Sequence, residues 1–111
     1  MSTYIPKQGD IIAITLDPQS GHEQKGRRPA LVISKSLFNK KTGLAMVCPI
    51  TNTARGFPFH VPIPEKSKLT GFVMVEQIKS LDFRARDAKR IEHADDELLS
   101  EVLSILDACI Y

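Results

Sequence analysis

From Pro18 to Arg28 the chain reads Pro-Gln-Ser-Gly-His-Glu-Gln-Lys-Gly-Arg-Arg, a polar stretch with no apolar periodicity, and it holds the side chains best suited to chemistry. Arg28 offers a fixed fork of N–H donors that fits two oxygens of one phosphate. Pro29 behind it biases Arg28 toward an extended backbone. A guanidinium keeps its charge, so the role that suits Arg28 is to stabilise negative charge; donating a proton is open to it only toward a very basic leaving group. Glu23 lies in the same loop, where its carboxylate either takes a proton as a general base or holds Arg28 in position. His22, with an unperturbed imidazole pKa of about 6.5, is a second candidate for the base. His60 and His93 read as structural or solvated.

Other chemistries find no support. No carboxylate pair has the spacing typical of metal-dependent nucleases and no His/Asp cluster appears, so no metal is expected. Gly21 and Gly26 bracket the loop without forming a Walker or dinucleotide pattern, so no cofactor is expected either. Cys48, inside an apolar run, and Cys109, near the C-terminus, fall in no CxxC or Cys/His ligand spacing. Both are expected to be reduced, buried, small apolar residues.

The elements that must position these groups are short. Residues 11–16 form a β-branched run bounded by Gly9-Asp10 and Asp17-Pro18, which predicts a strand. The polar loop follows, longer than the roughly 2–5 residues of an ordinary hairpin connection. Further strands are predicted at 30–34, at 44–50 with Pro49 putting the far end at an edge or bulge, at 60–63, at 72–76 and at 78–83. A helical turn is expected at 36–40. The apolar period then changes: Leu98, Leu99, Val102, Leu103, Leu106, Cys109 and Ile110 recur at helical steps, and Asp95, Asp96 and Glu97 suit the positive end of that helix. The pattern predicts a mainly β fold, a small, strongly bent SH3-like barrel with one C-terminal α-helix packed on it.

At 111 residues with 42% hydrophobic composition the chain is expected to form a single domain, residues 1–111, with no room for a large cofactor domain. It has no run of about 18 apolar residues, and Met1-Ser2-Thr3-Tyr4 lacks a leader pattern, so no membrane partner and a cytoplasmic location are expected. Net charge is only +2, yet residues 1–60 carry 8 Lys/Arg against 3 Asp/Glu while residues 61–111 carry 7 against 10. A basic front half is compatible with a polyanion.

Several stretches together resemble the MazF/PemK toxins: Gly9-Asp10-Ile11, then Gly21-His22-Glu23-Gln24-Lys25-Gly26-Arg27-Arg28-Pro29-Ala30-Leu31-Val32, then Cys48-Pro49-Ile50-Thr51, with Gly56-Phe57-Pro58-Phe59 and Glu76-Gln77-Ile78-Lys79-Ser80-Leu81-Asp82 beyond them. They fall in the family's order and spacing over nearly the whole chain. The resemblance implies a CcdB/PemK-type barrel and a homodimeric endoribonuclease toxin of a type II toxin–antitoxin system. It would cut single-stranded RNA at a short sequence without metal and be silenced by a cognate MazE-like antitoxin. CcdB, similar in fold, poisons DNA gyrase without cutting RNA, so a non-catalytic gyrase inhibitor is the alternative. An SH3-like peptide-binding module would need an aromatic-lined groove, and the chain is 6% aromatic without Trp.

The match carries the family's catalytic positions onto Arg28 and Thr51, and Glu23 joins them as the acid–base candidate. Metal-free RNA cleavage uses the 2′-hydroxyl as an internal nucleophile, so three such side chains suffice to remove its proton, protonate the departing 5′-oxygen and stabilise the phosphorane. Products would carry a 2′,3′-cyclic phosphate and a 5′-hydroxyl. For RNA binding, Lys25, Arg27, Lys79 and Arg84 are candidates to follow phosphates, with His22 beside them. Glu76 and Gln77 resemble base-reading positions, and Phe57 and Phe59 are either core or stacking platforms. Substitutions at Lys25, Arg27, residues 52–55 or 76–79 are expected to alter the cut site. The run from Arg84 to Arg90 is either a solvated face or a contact for RNA or antitoxin.

Overall fold

In the computed structural model, residues 4–16 and 26–111 are described. Among the described residues seven strands and two α-helices follow one another as β1 (Asp10–Thr15), β2 (Arg27–Val32), α1 (Ser36–Thr42), β3 (Leu44–Thr51), β4 (His60–Pro62), β5 (Phe72–Met74), β6 (Lys79–Asp82), β7 (Lys89–His93) and α2 (Asp96–Ile110), with a 3-10 turn at Val75–Gln77 between β5 and β6. The strands form one antiparallel sheet in the order β4-β5-β3-β2-β1-β7, and β6 pairs with the first half of β3. No helix among the described residues is long and apolar enough to cross a membrane.

Both faces of the sheet are buried, which explains why its strands are apolar runs rather than clean alternations. Side chains alternate across the sheet. Ile11, Leu31, Cys48, Ile50, Val61 and Val73 point to the face covered by α2, where Leu98 and Val102 are buried and Leu99, Leu103, Ile105 and Leu106 pack alongside. Ile12, Ile14, Ala30, Val32, Ala45 and Val47 point the other way, into a second core that Leu81 and Phe83 close as β6 curls over it. The expected bent β fold with a C-terminal helix is what forms.

Some local expectations change. The turn at 36–40 is a helix two residues longer, ended by Gly43 at φ 76°. Pro49 is buried and pairs with Ala30 inside the sheet, and β3 continues to Thr51. The proline is tolerated because Met46 N and O both face β2, so by alternation the Pro49 nitrogen faces the opposite side, in the gap where β3 has left β6 at Val47 and not yet joined β5 at Ile50. The run predicted as strand through residue 76 breaks after Met74, which puts Glu76 on the 3-10 turn. β7, Lys-Arg-Ile-Glu-His, was not anticipated, because an edge strand with charged side chains lacks the apolar signal. Cys48 is buried as expected, but Cys109 is exposed: the helical stripe is covered only as far as Leu106, and Cys109 and Ile110 lie on the last turn beyond it.

β7 is tied to β1 by Asp10. Its carboxylate is buried, and it accepts hydrogen bonds from the Tyr4 hydroxyl (2.6 Å), the Lys7 backbone N–H (3.0 Å), His93 Nδ1 (3.1 Å) and Arg90 Nε (3.4 Å). Burial alone would raise the Asp10 pKa, but these hydrogen bonds outweigh it and hold the group below its ordinary value. His93 is thus structural.

Candidate active site

The second core does not end where the sheet ends. At its open edge the same sheet face continues outward through Leu16 after β1, Arg28 on β2, Pro49 and Thr51 on β3 and Met74 on β5, all in register with one another by strand alternation. With Ile50 and Arg55 they line a cleft of about 290 Å³. Among the described residues its lining holds Arg28 and Arg55 and no carboxylate, a composition that attracts anions.

Arg28 pairs with Ile14 across the hairpin, is exposed, and makes no side-chain hydrogen bond or ion pair to the described residues. The strand begins at Arg27, so Arg28 stands on a paired strand rather than in a loop, and Pro29 opposite Ala13 keeps it extended. Thr51 ends β3 opposite Phe72. Its Oγ1 accepts from the Thr53 backbone N–H at 3.2 Å, which leaves the hydroxyl hydrogen to be donated elsewhere. Gly71 fixes this corner: at φ 123° its missing Cβ would lie 2.4 Å from the Thr51 carbonyl oxygen, so only glycine lets the two loops meet. The Thr70 hydroxyl donates to Asn52 Oδ1 at 3.0 Å beside it.

Arg27 is turned the other way. Its guanidinium donates to Thr15 Oγ1 (3.3 Å), Arg86 O (3.2 Å) and Ala13 O (3.1 Å), with Asp87 at 4.0 Å. These bonds close the end of β1 against the 82–88 turn, while the side chain stays 34% exposed and outside the cleft lining.

Phe57 and Phe59 are 49% and 40% exposed, which removes the core alternative. The Phe57 ring centroid lies 5.2 Å from that of His60, tilted by 58°. His60, whose side chain is 3% exposed, places Nε2 2.9 Å from Glu76 Oε2. Gln77, Lys79 and Arg84 are exposed and outside the cleft lining, Arg84 with its guanidinium carbon 5.8 Å from the Phe83 ring centroid. Glu23, His22 and Lys25 lie outside the described residues. Cys48 is no nucleophile: burial, then the Glu76 charge, push its thiol up to about 12. Among the described residues no group of three or more His, Cys, Asp or Glu converges as a metal would require.

The structure thus joins Arg28 and Thr51, which the sequence singled out, and adds Arg55, anticipated only within a recognition segment. Leu16 and Met74, the apolar walls, carry no sequence signal because an apolar residue at a strand end reads as core.

A family model described as PemK-like, MazF-like toxin of type II toxin–antitoxin system matches residues 7–110. The chain is 45% identical over 109 residues to the endoribonuclease toxin ChpB of Escherichia coli (strain K12), covering 94% of this chain and 93% of that protein. It is 39% identical over 90 residues to the endoribonuclease toxin MazF of the same organism, covering 81% and 80%. A crystal structure of MazE-MazF (Form-III) from Deinococcus radiodurans superposes with a TM-score of 0.88 at 36% identity, over 96% of this chain and 97% of that one. Relatives with ribonuclease names do not favour the gyrase-inhibitor alternative. By sequence along nearly its whole length and by fold, the chain belongs to the PemK-like, MazF-like endoribonuclease toxins of type II toxin–antitoxin systems.

Proposed function

We propose that this toxin cuts single-stranded RNA at a short sequence, without metal, through the cleft that Arg28 and Thr51 share. The observation that carries the reading is the placement of Arg28, Thr51 and Arg55 around one cleft. An RNA phosphate seated there would have its equatorial oxygens facing Arg28 and Arg55, whose charge offsets the negative charge that grows as the 2′-oxygen attacks. The Thr51 hydroxyl donates to the same oxygens. Glu23 takes the 2′-hydroxyl proton or holds Arg28, with His22 the alternative base, and the departing 5′-oxygen takes its proton from water or, as it becomes very basic, from Arg28. The strand ends as a 2′,3′-cyclic phosphate on one side and a 5′-hydroxyl on the other, and DNA is inert because it lacks the nucleophile.

The exposed Phe57 and Phe59 rings suit stacking of unpaired bases, Glu76 and Gln77 suit reading of their edges, and Lys25, Lys79 and Arg84 suit the backbone. The toxin acts in the cytoplasm as a homodimer; Leu37, Leu44 and Met46, exposed on α1 and the start of β3, give apolar surface for association. A MazE-like antitoxin with an acidic segment would occlude the basic cleft and compete with RNA. Incubation with a long single-stranded RNA in EDTA, beside Arg28→Ala protein and a matched DNA, tests this: cutting of RNA alone at one motif with 5′-hydroxyl ends is expected. Intact RNA with folded wild-type protein would sink the mechanism.

A further inference from the structure

His60 is the one described residue with a buried side-chain polar atom left without a hydrogen-bond partner: its Nδ1. The other ring nitrogen, Nε2, lies 2.9 Å from Glu76 Oε2. Because an ionised carboxylate only accepts, Nε2 carries the hydrogen of this bond, and Nδ1 is left unpaired. Burying an imidazole with half of its polar capacity unmet costs free energy, and that position gives it a fixed grip on the carboxylate of Glu76, a side chain that is 27% exposed.

The fold holds the donor rigidly. His60 opens β4 and pairs with Met74 of β5, a wall of the cleft, so by strand pairing it belongs to the cleft's face of the sheet. Its backbone N–H is bonded to Phe57 O at 3.1 Å, and Val75 N–H is bonded to Phe59 O at 3.1 Å, which ties the segment before His60 to the turn that carries Glu76. The Phe57 ring covers the imidazole at 5.2 Å while remaining 49% exposed itself. Glu76, with Oε2 held by His60 and no hydrogen bond to Oε1 among the described residues, is thus joined through that imidazole to an exposed aromatic ring.

We propose that His60 is a positioning residue: by holding Glu76 Oε2 it aims Oε1 at the edge of an RNA base lying near Phe57, so that this position selects bases presenting an amino or imino donor to an acceptor. This rests on the reading of Glu76 as a base-contacting residue given above. A freely rotating carboxylate would turn to accept from water or from several base edges; an anchored one accepts along a single direction, which converts charge into discrimination. The chemistry at Arg28 and Thr51 is separate, so loss of the anchor is expected to relax sequence preference and raise KM with little change in kcat.

Side-chain geometry gives a sharp pair of variants. In His60→Gln the amide nitrogen reaches about where Nε2 lies and can donate to Glu76; in His60→Asn it stops near Nδ1 and cannot. Cut sites on a long RNA are mapped by end sequencing for wild type, both His60 variants and Glu76→Gln, with KM and kcat on short substrates of the preferred and next-preferred sequences. Expected are wild-type preference in His60→Gln, and a loss of about tenfold in discrimination at one base position in both His60→Asn and Glu76→Gln. Unchanged preference in His60→Asn while Glu76→Gln loses it overturns the role of His60 alone. Unchanged preference in Glu76→Gln overturns the reading of Glu76 beneath it. Equal loss in His60→Gln and His60→Asn, tracking lowered melting temperatures, overturns positioning in favour of a packing role. Imidazole ¹⁵N shifts of the wild-type protein need no folded variant: a proton on Nε2 and a bare Nδ1 are expected, and the opposite tautomer overturns the proposal.

Discussion

At the start of β1 the Asp10 carboxylate is 1% exposed and accepts hydrogen bonds from four groups; near its other end, opposite Ile14, Arg28 of β2 is exposed with no partner among the described residues, and Arg55 shares its cleft. The two ends of β1 thus lie beside a charge that the fold has neutralised and one that has no partner among the described residues. A buried carboxylate without its donors would cost several kcal/mol, so Asp10 is a structural group whose partners must come with it. An exposed guanidinium costs almost nothing to leave unpaired, and in the function proposed above its donors serve the RNA phosphate. The adjacent pair Arg27 and Arg28 repeats the contrast within two residues: alternation sends one inward to backbone carbonyls and the other to the cleft.

Substitutions can break the contrast, beginning with the largest effect. Arg28→Ala should lower RNA cleavage by roughly a thousandfold, about 4 kcal/mol of transition-state stabilisation, while thermal unfolding stays within a degree or two of wild type. A matching drop in melting temperature would make Arg28 structural after all. Asp10→Ala should do the reverse, removing about 3 kcal/mol of stability by stranding Arg90, His93 and Tyr4, readable as a lowered denaturant midpoint, with turnover of the folded fraction retained. Arg27→Ala should cost about 1–2 kcal/mol of stability through its lost hydrogen bonds, with a far smaller effect on cleavage than Arg28→Ala. Equal loss of activity in the two arginine variants would erase the distinction drawn from their directions.

The smallest effect is one of pH. Because the Asp10 pKa is held below its unfolded value of about 3.9, its contribution to stability is fully present above that pH and is lost as the pH falls through the folded-state value. The stability difference between wild type and Asp10→Asn should accordingly narrow on acidification below about pH 4, measured by unfolding at a series of pH values. A difference that stays constant there would mean that Asp10 gains nothing from its charge.

Much of the architecture was legible. Residues 11–16, 30–34 and 98–110 announced a strand, a strand and a helix because their apolar periods are strong, and the structure shifts their limits by a few residues. β7 escaped because its strand character lies in pairing with β1 rather than in its own charged side chains. The break after Met74 escaped because Val75 and Glu76 continue a β-like pattern that the turn overrides. For the site, Arg28 and Thr51 could be singled out by motif, while the direction in which the neighbouring Arg27 turns was not legible, because it depends on the pairing of β1 with β2. His60 gave no sign of its contact with Glu76, sixteen positions away and met only through β4–β5 pairing.

What the sequence determined by itself was local and compositional: the polar loop, the apolar periods, the residues able to hold a phosphate, and a motif order specific enough to name a family. Only the tertiary structure decided which charges are satisfied and which are left open, since that depends on strand register. Shifting a strand by one residue exchanges its two faces, so the same pair of arginines could brace the fold or face the cleft, and only pairing with Thr15 and Ile14 assigns each its side.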